Sequence, residues 1–288
     1  MIALTFVIGE SEGELEEFLS FHRSAGVDVV VAAVREAPPG TSETLERYVG
    51  DGFVRLVERN ASQTELARIA ADELGAEWVI PGTPGEIWWP RGEGLKDVLA
   101  VIPPRYGVVQ GLVRTFVGES EPSTADTSTY ASRTVRTSLL GPDGSGGEPL
   151  QVLLRPVYRA GPNMTVDAAD WTLGGRRVPL RAWYPLEVFR YPMEGAWDST
   201  RIEAGLADGS LVVDTRLRDA LADGTTWFPV PSIVDDSSYA VECAAVGEVD
   251  LVRLDRQIRD LELRIAELEA RFWPRVRHTL RRIARRPS

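Results

Sequence analysis

The feature that most restricts this chain is the alternation in its first third. Apolar, β-prone runs recur at Ala3–Ile8, Val27–Val34, Phe53–Val57 and Glu77–Ile80, about 25 residues apart, with helical patterns at Glu14–Ala25, Ser42–Val49 and Gln63–Leu74 between them. Leu15, Phe18, Leu19 and His22 fall on one face of the first helical stretch, and Leu66, Ile69, Ala70 and Leu74 on one face of the third. Ser62, with Glu65 three residues on, has the form of a capping box. Strands separated by single helices can return to the same sheet only by crossover, so right-handed βαβ units and a parallel sheet are expected.

The next stretch is less regular. Pro81–Pro90, PGTPGEIWWP, is expected to leave the strand as a loop. A short helix at Leu95–Ile102 and strands at Tyr106–Val117, Val135–Leu140 and Leu150–Arg159 follow. The segments 119–130 and 141–149 read as exposed loops, and Gly174–Gly175 as a hairpin signal. Ser199–Ala222 reads as helical in parts, and Trp227–Ser238 as a linker.

Near the C-terminus the period changes. Leu251, Leu254, Ile258, Leu261, Ile265, Leu268 and Phe272 are spaced alternately three and four apart, a heptad seam that Pro274 ends. From Arg271 onward there are seven arginines and no acid, although the whole chain carries a formal net charge of -11. The acidic balance argues against a general nucleic-acid binder. The seam fits a homodimer through 251–272, or a helix docked on the body. The arginines of 271–286 fit an anionic membrane surface, at about 1 kcal/mol per basic residue. One cysteine, Cys243, permits no internal disulfide, which fits a reducing cytosol, with attachment to the inner face of a membrane through the tail. The opening residues read as a first strand, and no apolar run reaches the length of a membrane span.

Ligands of open parallel sheets bind beyond the carboxyl ends of the strands. The acids in those loops are Glu10, Glu12, Glu36, Glu58 and Glu86. Neither G-x-G-x-x-G nor a Walker loop is present, so dinucleotide and P-loop readings fail. His22 and His278 have no partner at metal-ligand spacing.

Glu77–Pro90, EWVIPGTPGEIWWP, resembles a segment of family 2-like glycosyltransferases that commonly runs W-V-I-x-x-D-A-D-E-F-W-x-P. Thr5–Val34 resembles the family's first strand, helix and second strand, including L-x-F-H-x-x-x-G-V-D at Leu19–Asp28. Gly40–Tyr48 matches G-T-x-x-x-L-x-x-Y, and Leu211–Leu221 is similar to a segment of bacterial members. The resemblance covers most of the chain. It implies an α/β, GT-A-like (Rossmann-like) and mostly parallel sheet flanked by helices, followed by a helical coiled-coil extension. The implied domains are a glycosyltransferase-type domain over 1–240, with its nucleotide-binding half at about 1–90, a coiled coil at 248–273 and a basic amphipathic tail at 274–288.

The resemblance also implies a nucleotide-sugar donor and a Mn²⁺ or Mg²⁺ ion held by D-x-D. Those aspartate positions hold Thr83 and Gly85, and the aspartates expected after the second strand and before G-T are Val34 and Pro39. No histidine occurs in Arg159–Val166 or Phe189–Glu194. What remains is Glu86 as a catalytic or lone metal-binding carboxylate, Glu10 and Glu36 as substitutes for nucleotide-sugar contacts, and Trp88 and Trp89 as a sugar-stacking floor or as core. Arg91 and Lys96 are the nearest cations for a leaving diphosphate. Two readings follow: a glycosyltransferase with reduced or lost metal-dependent catalysis, or a non-catalytic binding or scaffolding relative of an active one.

Overall fold

The computed structural model describes residues 1–9, 15–35, 41–57, 61–91, 94–118, 129–138, 154–161, 166, 178–179, 184–192 and 197–227. The expected hairpin at Gly174–Gly175, the coiled coil at 248–273 and the basic tail at 274–288 lie outside them, as do Glu10, Glu12, Glu36, Pro39 and Glu58.

The first four strands form as the alternation requires. β1 (Ile2–Ile8), α1 (Leu15–Ser24), β2 (Val29–Val34), α2 (Thr41–Gly50), β3 (Val54–Val57), α3 (Gln63–Arg68) and β4 (Trp78–Pro81) follow one another, and α3 continues through a π turn at Ile69–Glu73. β1 pairs in parallel with β2 and β4, and β2 with β3, giving the order β4-β1-β2-β3. The pleat sorts the side chains. Ile2, Leu4, Phe6 and Ile8 enter the large core with Phe18, Leu19, Trp88 and Phe189, while Ala3 faces the smaller cluster of Val31, Leu66, Ala67 and Ala70 under α3. The capping box forms: Glu65 N–H donates to Ser62 Oγ, and Ser62 N–H to the Glu65 carboxylate.

Beyond β4 the structure departs from a simple loop. Glu86–Pro90 is a strand, β5, and all five residues are buried. After α4 (Leu95–Ala100) come β6 (Tyr106–Val117), α5 (Thr129–Ser132), β7 (Val135–Thr137), β8 (Leu154–Arg159), β9 (Val178–Pro179) and β10 (Leu186–Arg190). α6 (Ser199–Asp208), β11 (Leu211–Val213) and α7 (Arg216–Ala222) follow, so Ser199–Ala222 contains a strand between its two helices. β8 is antiparallel to both β4 and β6, and β10 is parallel to β6. β4, β6 and β10 therefore point the same way, and β5, antiparallel to β10, runs back down the sheet. Five apolar-rich residues are enough for this strand because β10 supplies its whole hydrogen-bonding edge, Leu186–Arg190 against Pro90–Glu86.

The opposite edge of β5 is closed by His22. Its Nδ1–H donates to the Phe18 carbonyl at 2.8 Å, and its Nε2 accepts the Trp88 amide at 3.3 Å. Acceptance at Nε2 needs the neutral ring, and burial lowers the His22 pKa to about 4, only partly offset by the bond to Phe18. His22 is thus a fully buried joint between α1 and β5.

Candidate functional site

The carboxyl ends of β1, β2 and β4 lie together, and the turn after β4 stands among them. Gly82 N–H donates to Thr5 O at 2.8 Å, extending the β1–β4 ladder by one residue. Glu86 N–H then donates to Thr83 O at 3.0 Å and closes the turn, while Tyr191 N–H donates to Gly85 O at 2.8 Å and ties it to the end of β10.

Gly85 takes the left-handed region, with φ at 84°. A Cβ there would stand 3.0 Å from the Tyr191 carbonyl oxygen. The position that the resemblance aligns with the second metal aspartate is thus held in a conformation and a contact that disfavour any side chain.

Glu86 is not a solvated loop acid. It opens β5, is 2% exposed, and its Oε1 accepts from Arg155 Nη2 at 2.8 Å and Nε at 3.1 Å. Its Oε2 has no partner among the described residues. A metal-binding carboxylate has to present its oxygens to a hydrated ion and a phosphate. Thr83, Gly85 and an inward, ion-paired Glu86 do not fit a Mn²⁺ or Mg²⁺ ion. Among the described residues, no three of His, Cys, Asp and Glu come together as a metal-binding group.

Trp88 and Trp89 are both fully buried, so in this structure neither offers a face to a sugar. The pleat alone would turn one of them outward, but β5 is covered on both faces. Trp89 lies between Phe21 and Phe189 with ring centroids 5.7 and 5.8 Å away, and Trp88 reaches Gly111 of β6. Arg91 and Lys96 are also misplaced for a diphosphate. Because β5 descends, Arg91 ends beside Tyr184 and Pro185, before β10 begins, and donates to the Tyr184 carbonyl at 2.7 Å. Lys96 pairs at 2.5 Å with Asp28, which also accepts from the Ile2 amide at the start of β1. Lys96 thus stands at the amino end of β1, and Arg91 at the amino end of β10.

A cation that does reach the turn is Arg155, which sequence reasoning missed. β8 runs opposite to β4, with Arg159 beside Trp78, so its first residues stand level with the carboxyl end of β4. Arg155 is 31% exposed. The signal was one arginine inside the apolar run LLRPVY.

A second ionic group is buried on the flank of β6 and β10. Arg114 pairs with Glu187 at 3.1 Å, and Arg136 with Asp214 at 2.6 Å. Arg216 reaches Asp214 at 2.5 Å and Glu187 at 3.2 Å. Burial pushes both carboxyls up, but the arginines outweigh it and hold them below their ordinary values: Arg216, Arg114 and Arg91 for Glu187, Arg216 and Arg136 for Asp214.

This is a mixed α/β fold with a mostly parallel sheet flanked by helices, the class the resemblance implies. No family model and no curated protein matches the chain. Among solved structures it is similar to S. aureus TarS. TarS itself is 14% identical, with 55% of this chain and 28% of that one covered and a TM-score of 0.32. TarS 1-349 in complex with UDP-GlcNAc is 13% identical, covering 76% of this chain and 70% of that one at a TM-score of 0.36. TarS 1-349 in complex with UDP is also 13% identical, covering 55% and 46% at 0.31. The chain therefore spans well under two thirds of full TarS, and overlaps this slight fix no residue's role. Among the described residues, no helix is long and apolar enough to cross a membrane.

Proposed function

We propose that this chain is a glycosyltransferase-like protein that binds a nucleotide or nucleotide sugar without a metal-bound diphosphate and has lost metal-dependent transfer. The observation that carries this reading is the turn after β4: Gly85 is left-handed against the Tyr191 carbonyl, so the backbone itself disfavours a carboxylate there. Glu86 supports it, because its charge is spent on Arg155 inside the protein. In metal-dependent transfer the ion neutralises the charge that develops on the leaving diphosphate. Without ligands for it, donor binding and turnover lose their dependence on the ion.

Calorimetry with UDP-GlcNAc, UDP and GDP, in Mn²⁺ and in EDTA, tests the reading together with a donor-hydrolysis assay. UDP-GlcNAc is a suitable first probe because a TarS structure contains it. Binding of at least one probe with the same Kd in both buffers is expected, with no Mn²⁺-stimulated hydrolysis. A Kd tightened tenfold or more by Mn²⁺, or Mn²⁺-dependent turnover, defeats it.

A further inference from the structure

Resting on that reading, we infer that Arg155 is the diphosphate-binding cation of the site, with Glu86 as its positioning residue. The inference begins from where charge can stand. Ligands of parallel sheets gather at the carboxyl ends of the strands. Arg155 is placed there by the antiparallel course of β8 and meets the first residue after the turn.

The pair is built asymmetrically. Glu86 has a 3% exposed side chain and Arg155 a 31% exposed one, so the carboxylate is sealed in while the arginine side chain is partly open to solvent. Among the described residues, only Nε and Nη2 of Arg155 are engaged, both on Glu86 Oε1. A guanidinium carries more N–H donors than that, in a planar fork that suits phosphate oxygens. Arg155 is also the sole partner of Glu86 among the described side chains, since Oε2 has none. Swinging Arg155 away would leave a buried carboxylate uncompensated, which is costly. The guanidinium is therefore held in one orientation before any ligand arrives, and its unused donors are preorganised for an anion. Lys96 is paired with Asp28 at the amino end of β1, and Arg91 donates to the Tyr184 carbonyl before β10.

The test is equilibrium binding in EDTA of UDP and GDP, with uridine and guanosine as controls that lack the diphosphate. The variant Glu86→Gln/Arg155→Gln removes both charges together and leaves no buried ion alone. Arg155→Lys keeps a countercharge for Glu86 but loses the planar fork. Thermal melts of both verify folding. The double variant is expected to bind the nucleoside diphosphates about tenfold to a hundredfold more weakly, the range for one charged hydrogen-bonding partner, and Arg155→Lys about tenfold more weakly, with nucleoside binding unchanged. If the folded variants bind UDP and GDP as the wild type does, the assignment of Arg155 is overturned while the metal-free reading stands. If the wild type binds no nucleotide, or binds only in Mn²⁺, the metal-free reading falls and takes this assignment with it.

Discussion

The β1–β4 half and the β5–β11 half of this sheet are stabilised by different means. In the first, alternate residues of parallel strands fill two apolar clusters, and the ion pairs stand outside: Arg23 with Asp51 at 2.5 Å, Arg55 with Glu73, Lys96 with Asp28. Its one fully buried ionisable ring, His22, is held neutral. In the second, charge goes inside. Arg114 and Glu187 are both 0% exposed, and Arg136, Asp214 and Arg216 continue the network. Exposed pairs of the first kind contribute about 0–1 kcal/mol each. Breaking a pair of the second kind strands a charge in the core. The halves should therefore answer differently to the loss of one carboxylate, and differently to acid.

The largest effect is expected from Glu187→Leu. The change leaves Arg114 without its 3.1 Å partner and Arg216 without its 3.2 Å one. Loss of one member of a buried pair costs about 3–5 kcal/mol, read as a lowered midpoint in urea unfolding. Asp51→Leu, removing the exposed partner of Arg23, serves as the control and is expected to change stability by about 1 kcal/mol or less. Equal losses in the two variants would erase the contrast between the halves.

Acid should separate them in the opposite order. His22 has a folded pKa of about 4, below its ordinary 6.5. The unfolded chain therefore takes up its proton first. The stability His22 contributes is complete above pH 6.5 and is lost as pH falls from there to about 4, amounting to about 3 kcal/mol. Glu187 and Asp214 are held below their ordinary values, so their contribution is present above those values and goes only as pH falls further, below about 4. Urea melts from pH 7 to pH 4 should thus show a decline carried by the α1–β5 joint. His22→Gln, less stable at pH 7, should flatten that slope. An unchanged slope in His22→Gln would mean the decline originates elsewhere.

The same division governs how much could be read beforehand. The β1–β4 order follows from period and spacing, since each strand and helix states its own pattern within a dozen residues. The antiparallel half depends on partners far along the chain: Arg114 and Glu187 are 73 residues apart, Arg136 and Asp214 78, Glu86 and Arg155 69. No local pattern announces such pairs. β5 was hidden because PGTPG masks its start and the strand is complete in five residues. β11 was hidden because three residues between two helices carry no period. At the site, that Thr83 and Gly85 are not carboxylates was legible, whereas the inward turn of Glu86 and the approach of Arg155 were not. Arg91 and Lys96 were misplaced for one reason: β5 runs backwards and carries the chain away from the turn, Arg91 to the amino end of β10 and Lys96 to Asp28 beside the start of β1.

The smallest effect isolates the turn itself. Gly52, before β3, and Gly85, before β5, have nearly the same backbone, with φ at 80° and 84°. They differ in surroundings: a Cβ on Gly52 meets nothing within 4 Å, while one on Gly85 meets the Tyr191 carbonyl at 3.0 Å. Alanine at either position pays the left-handed penalty of about 1–2 kcal/mol. Alanine at Gly85 must also displace an oxygen at the end of β10, or stretch the 2.8 Å bond from Tyr191 N–H to the Gly85 carbonyl. Gly85→Ala is therefore expected to destabilise more than Gly52→Ala, by about 1 kcal/mol, the net value of one backbone hydrogen bond. Gly85→Asp should be no milder, and Thr83→Asp/Gly85→Asp should fail to create Mn²⁺-dependent nucleotide binding, because the backbone there is shaped for a glycine. Equal losses at Gly52 and Gly85, or metal-dependent binding in the double aspartate variant, would show that the turn can still carry the side chains it lacks.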